Sequence, residues 1–302
     1  MIIKDNKELK QKDFKNEKEL QTYFENNLKK ILNYDFIETE FAVGNFRIDT
    51  LAYDSESNAF KIIEFKNVKS HSLIDQGYTY LKLALERKAD FVLKYNEKQN
   101  KNITINDIDW SQTRIIFVSP VFTPYQLNAT DFKNIPVDLI KVSKYEDNIV
   151  DIEFIKKTSN IKVEEISFQN DNAEVNKEIK VYTEEDHLAN TTEEIRELYN
   201  NLKERILELD DIDVDVKKVY IAFKGSKNIC DLEIYKGFIQ INLNVKKGNL
   251  NDPEHIFNSY ITEDGKKIGH HGNGDYYLSI RKLEEINKVI PFIKQSLSIN
   301  KK

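Results

Sequence analysis

Phe46-Arg-Ile-Asp-Thr-Leu-Ala-Tyr53 and Phe60-Lys-Ile-Ile-Glu-Phe-Lys66 lie close together in the first quarter of the chain. Both are short and apolar, and the polar run Asp54-Ser-Glu-Ser-Asn-Ala59 between them reads as a turn, so the pair predicts an antiparallel hairpin. Its natural register sets Tyr53 against Phe60, Leu51 against Ile62, Asp49 against Glu64 and Arg47 against Lys66. Directly opposed residues share a face of a sheet, and so do residues two apart on one strand. Arg47, Asp49, Glu64 and Lys66 are thereby gathered on one patch. Like charges directly opposed destabilise a sheet. A divalent cation would relieve the conflict: hard oxygen ligands converging at short range suit Mg2+ or Mn2+, with the adjacent ammonium left to handle phosphate or water. A solvated, salt-bridged hairpin face, with Asp49 reaching Lys66 diagonally, is the structural alternative.

The flanking segments extend this patch. From Asn16 to Tyr34, the apolar residues Leu20, Tyr23, Phe24, Leu28, Ile31 and Leu32 repeat with a helical period. Glu17 falls at the start of that apolar face, whereas Glu19 falls toward solvent. Phe36 to Val43 predicts a strand beside the hairpin, and Leu73 to Arg87 a helix on which Gln76 and Tyr80 lie one turn apart on the same face. A tyrosine on such a face is ordinarily core, while a glutamine there needs hydrogen-bond partners. Arg114 to Ser119 and the segment opening at Val137 read as buried strands. Thr123 to Phe132 reads as a short helical crossover between them, and Ile149 to Ile155 as a last strand.

Asp49, the spacer and Glu64-Phe65-Lys66 resemble the active-site core of the PD-(D/E)xK nuclease superfamily, with Ile48-Asp49 in place of its Pro-Asp. Glu17-Lys-Glu-Leu-Gln-Thr-Tyr23 is similar to the helix that opens NucS-like nuclease domains, where a glutamate helps bind metal. Gln76-Gly-Tyr-Thr-Tyr80 is similar to the Gln-x-x-x-Tyr pair that lines the site of RecB-like nucleases. The resemblance implies an α/β (α+β) fold of the restriction-endonuclease kind over residues 1–156, with a mixed sheet flanked by helices. It also implies an endonuclease that hydrolyses DNA phosphodiester bonds with Mg2+ or Mn2+, in repair or in restriction of foreign DNA. Asp49, Glu64, the Phe65 carbonyl and Glu17 would hold metal; Lys66 would orient or help deprotonate water; Gln76 and Tyr80 would position the scissile strand. For Arg47, contact with a phosphate at the rim and a structural pairing with Glu38 or Glu40 are equally good matches. The alternative is a nuclease-fold module that binds nucleic acid or a protein partner without cutting.

The chain's 302 residues are enough for two cores. Its single cysteine, Cys230, excludes an internal disulfide and a cysteine-based zinc site, which fits a reducing cytoplasm. No apolar run suits a signal peptide or membrane span. A net charge of -6 argues against a broadly basic surface but leaves room for a local basic groove. Residues 157–190 read as a linker. Residues 191–302 read as a small α+β domain, opened by a Thr191-x-x-Glu194 capping box and a helix. In it Val216 to Phe223 predicts a strand, and Ile229 to Tyr235 with Phe238 to Val245 a hairpin. The second hairpin strand alternates Ile239, Ile241 and Leu243 with Gln240, Asn242 and Asn244, predicting one packed and one wet face. This half resembles domains of unknown function that follow nuclease-like domains and occur in restriction-type proteins. It would select a substrate, a DNA modification or a partner, or build a homodimer. Gly269-His-His-Gly-Asn-Gly-Asp275 lacks the residues of a P-loop, and its adjacent histidines point apart, so it reads as a glycine-shaped loop with at most one functional histidine.

Overall fold

A computed structural model of the chain describes residues 2–66, 73–132, 135–158, 175 and 178–301. It divides into two compact units, Met1–Val181 and Tyr182–Lys302.

In chain order the first unit contains β1 (Ile2–Lys4), β2 (Lys7–Leu9), β3 (Gln11–Lys12), α1 (Glu17–Leu32), β4 (Asp35–Val43), β5 (Phe46–Asp54) and β6 (Ala59–Phe65). These are followed by α2 (Leu73–Glu86), α3 (Lys88–Gln99), β7 (Arg114–Ser119), α4 (Pro124–Thr130), β8 (Val137–Tyr145) and β9 (Val150–Ile155). The main sheet runs β3-β8-β7-β6-β5-β4, with β9 also on β8. The β6-β7 and β7-β8 pairs are parallel and the others antiparallel. This is the mixed sheet flanked by helices expected from the sequence.

Strand alternation divides the core. Ile63 and Phe65 of β6, with Ile116 and Val118 of β7, face Leu20, Phe24 and Leu28 of α1. Phe60, Ile62, Ile115 and Phe117 face the opposite way, toward Leu81, Ala84 and Phe91 of α2 and α3. Asn16 caps α1 by accepting a hydrogen bond from the Glu19 N–H at 2.9 Å, and Asn33 ends it in the left-handed conformation. The helix α3 carries too short an apolar stripe, Phe91, Val92 and Tyr95, to be read from the sequence. Gly77 lets α2 lie close on the sheet: a Cβ there would stand 3.2 Å from Ile115 Cγ2.

The hairpin of β5 and β6 has the expected register at Tyr53–Phe60 and Leu51–Ile62, but its ladder ends at Thr50–Ile63. No strand pair forms between Asp49 and Glu64 or between Arg47 and Lys66. Lys66 instead donates its N–H to the Val118 carbonyl at 2.9 Å.

The second unit contains α5 (Glu184–Leu188), α6 (Glu193–Leu207), β10 (Asp213–Val216), β11 (Ile221–Lys224), β12 (Asn228–Tyr235), β13 (Phe238–Leu243), β14 (Asn258–Ser259), β15 (Tyr276–Ile280) and α7 (Ile286–Asn300). The antiparallel sheet runs β10-β11-β12-β13-β15-β14. One face, with Ile239, Ile241 and Leu243, packs on Leu198 and Leu202 of α6 and Val289 and Ile293 of α7. The other face is not wet as the alternation suggested: Asp231, Glu233 and Asn242 are buried there. Tyr260 and the glycine-rich loop cover it, with Gly272 against the Asn242 side chain and Gly274, at φ +81°, against the Leu243 carbonyl. The cap of α6 also differs from expectation. Thr192 caps α6, while Thr191 bonds back to the Leu188 carbonyl. The stretch 157–190 lies partly outside the described residues; of the described ones, Val175 and Ile179 pack in the first core and Leu188 in the second.

Candidate active site

The site forms where the ladder of β5 and β6 ends, because side chains take over from strand pairing. Glu64 Oε1 accepts the Asp49 N–H at 3.1 Å, and Asp49 Oδ2 accepts the Phe65 N–H at 2.9 Å. Each carboxylate is anchored by the other strand's backbone. Glu64 is 1% exposed. From α2, Gln76 Nε2 donates to Glu64 Oε2 at 2.8 Å, and Lys66 Nζ stands 3.6 Å from the same oxygen. Tyr80 lies 3.5 Å from Gln76 Nε2, and its hydroxyl donates to the Arg47 carbonyl at 3.1 Å. The structure thus brings together Asp49, Glu64, Lys66, Gln76 and Tyr80.

The electrostatics follow from this packing. Burial, and then the facing charge of Asp49, push the Glu64 carboxyl up to about 8. Burial also raises Asp49, against the lowering effect of the Phe65 N–H and of Lys66. Burial raises the Tyr80 phenol. Two carboxylates that resist ionising together in this way make a hard-oxygen donor set whose charge a divalent cation would balance. Among the described residues no group of three or more His, Cys, Asp or Glu side chains closes on a metal position.

Glu17 departs from expectation, and Arg47 takes one of its two expected readings. Glu17 is exposed at the head of α1, not on its buried face, although its charge is felt at Asp49. Glu19 is the less exposed of the two, held by Lys144 Nζ at 2.6 Å. Arg47 turns outward: its side chain is 70% exposed, with Nε 2.9 Å from Glu40 Oε2. That is the structural pairing named as one of its two readings. Phe65 sends its ring into the α1-side core against Phe24.

Gln21 also belongs to the site. Lying between Leu20 and Phe24 on the inward arc of α1, it is 3% exposed and donates to the Asp49 carbonyl at 2.7 Å. A polar residue inside an apolar arc was the signal. In the second unit, His270 stacks on Tyr260 with ring centroids 3.6 Å apart and bonds the Gly274 carbonyl through Nε2, whereas His271 is exposed.

A family model described as a domain of unknown function (DUF5655) matches residues 184–300. Among solved structures the chain is similar to an EndoMS–dsDNA2 complex, with a TM-score of 0.28 and 19% identity over 43% of this chain and 45% of that one. It is also similar to a repair endonuclease from Pyrococcus abyssi, with a TM-score of 0.22 and 18% identity over 40% of this chain and 45% of that one. The chain thus spans less than half of either, and likenesses this slight leave the site to its own geometry. An "Uncharacterized protein" of Haemophilus influenzae is 43% identical over 300 residues, covering 96% of this chain and 95% of that protein. Through both units, the chain belongs to one family with this Haemophilus influenzae protein.

Proposed function

We propose that the protein is a metal-dependent endonuclease that hydrolyses DNA phosphodiester bonds, in repair or in restriction of foreign DNA. The observation that carries this reading is the Asp49–Glu64 pair: each carboxylate is anchored by the other strand's backbone, and Glu64 is pushed up to about 8 beside the Lys66 ammonium. The resemblance of these residues, with Gln76 and Tyr80, to NucS-like and RecB-like sites supports DNA as the substrate.

Asp49 and Glu64, with the Phe65 carbonyl, would hold Mg2+ or Mn2+, and Glu64 would release its proton on doing so. Bound there, the ion would acidify a water and offset charge building on the phosphate. Lys66, with Nζ 3.6 Å from Glu64 Oε2, would orient that water or help deprotonate it. Gln76 fixes the Glu64 carboxylate, and with Tyr80 it would line the path of the scissile strand. Glu17, exposed and within electrostatic range of Asp49, would act on the ion only through water. Arg47 would have to leave Glu40 to reach a phosphate.

The test incubates the purified whole chain with linear, circular, modified and single-stranded DNA, and with RNA, in Mg2+ or Mn2+. The native chain is expected to cut, and Asp49→Ala and Lys66→Ala to lose at least about 10²-fold. No cutting by the native chain, or equal cutting by the variants, overturns the reading. Binding without cutting supports the non-catalytic module in its place.

A further inference from the structure

Asp49 sits at a one-pair gap in the β4–β5 ladder and just beyond the end of the β5–β6 ladder. Toward β4 the ladder pairs Thr39 with Thr50 and Phe41 with Ile48 but skips Glu40 and Asp49. Glu40 has φ +52°, uncommon for a residue with a side chain. Toward β6 the pairing has already ended at Thr50. A main chain off both ladders still needs its polar groups satisfied. The Asp49 N–H goes to Glu64, and the Asp49 carbonyl accepts from Gln21 Nε2 at 2.7 Å.

Gln21 is itself held on every side. Its amide nitrogen lies 3.1 Å from Thr39 Oγ1 and 3.0 Å from Glu25 Oε1, while its oxygen accepts from Lys18 Nζ at 3.0 Å. Glu25 in turn accepts from the hydroxyl of Thr50, the residue after Asp49. We infer that Gln21 is a positioning residue of this site: from α1 it sets the main chain of Asp49 so that the Asp49 carboxylate meets Glu64 around one shared cation. The inference rests on the metal-site reading above. A carboxamide suits the place because it donates to the carbonyl and to Glu25 while accepting from Lys18. Glutamate would set a second anion against Glu25, and methionine would keep the length and lose the donor.

The test is calorimetric titration of the whole chain with Mn2+ in the absence of nucleic acid, alongside thermal unfolding of the same samples. Asp49→Asn is expected to abolish binding. Gln21→Met is expected to weaken it by about tenfold in a folded chain, as loss of a group supporting a ligand does. Thr39→Val, which removes only another acceptor of the same amide, is expected to keep native affinity. Native affinity in Gln21→Met, with binding lost in Asp49→Asn, overturns the positioning role and leaves the metal site standing. Unchanged binding in Asp49→Asn overturns the metal site itself. Should Gln21→Met fail to fold, Gln21→Glu serves the same comparison: weakened binding supports the role and native affinity overturns it.

Discussion

Glu64 in the first unit and Glu233 in the second are both carboxylates buried on a sheet, 1% and 3% exposed, and their surroundings differ in kind. Glu233 accepts from three neutral side chains on its own face: Asn242 at 2.8 Å, Gln240 at 3.2 Å and Tyr235 at 2.8 Å. Its neighbour Asp231 accepts from Asn228 and from the backbone and side chain of Asn273. Glu64 has Gln76 and one backbone N–H, and otherwise faces Asp49 and the Lys66 ammonium. A buried carboxylate ringed by amides and a phenol is a packing device, because its acceptors are filled and the network fixes one arrangement. A carboxylate set against another carboxylate resists ionising even with an ammonium 3.6 Å away. On the function proposed above, that difference separates a carboxylate held for stability from one held for chemistry.

The largest effect should come from Glu64→Gln, with cleavage falling by about 10²–10³-fold in a nuclease assay while the fold is kept. Retained cleavage would erase the contrast with Glu233. Next is Gly274→Ala in the second unit. A Cβ there would stand 1.9 Å from the Leu243 carbonyl at a φ of +81°, so a loss of about 3 kcal/mol is expected in denaturant melts, with Mn2+ binding unchanged.

The pH dependence sharpens the comparison further. Since Glu64 titrates near 8 in the folded chain against 4.5 normally, the folded state holds a proton that the unfolded state has released between those values. Its contribution to stability is full below about pH 4.5 and is lost as pH rises through about 8, with a slope of at most about 1.4 kcal/mol per pH unit. Glu64→Gln should flatten that slope and be the more stable chain above pH 8, checked by melts across the range. The smallest effect belongs to Arg47→Ala. Its ion pair with Glu40 is exposed, so the melt should change by less than about 1 kcal/mol. A large fall in DNA affinity without that stability loss would restore Arg47 as a phosphate contact.

The sequence gives away the hairpin, its Tyr53–Phe60 and Leu51–Ile62 pairs, and the patch of Asp49, Glu64 and Lys66, while the place of Gln76 and Tyr80 beside that patch came from the family resemblance. The hairpin and the patch are local matters of side-chain period and opposed charges, and helical spacing shows only that Gln76 and Tyr80 share a face. Only the tertiary structure decided that the ladder stops at Thr50, that Glu17 is exposed, that Arg47 turns to Glu40, and that Gln21 reaches across to the Asp49 carbonyl. It likewise decided that the polar side of β13 is buried, because the loop covering it comes from about thirty residues further along the chain. Alternation says which residues share a face, but what lies over that face is set by the packing of segments far apart in the chain, and no local pattern encodes it.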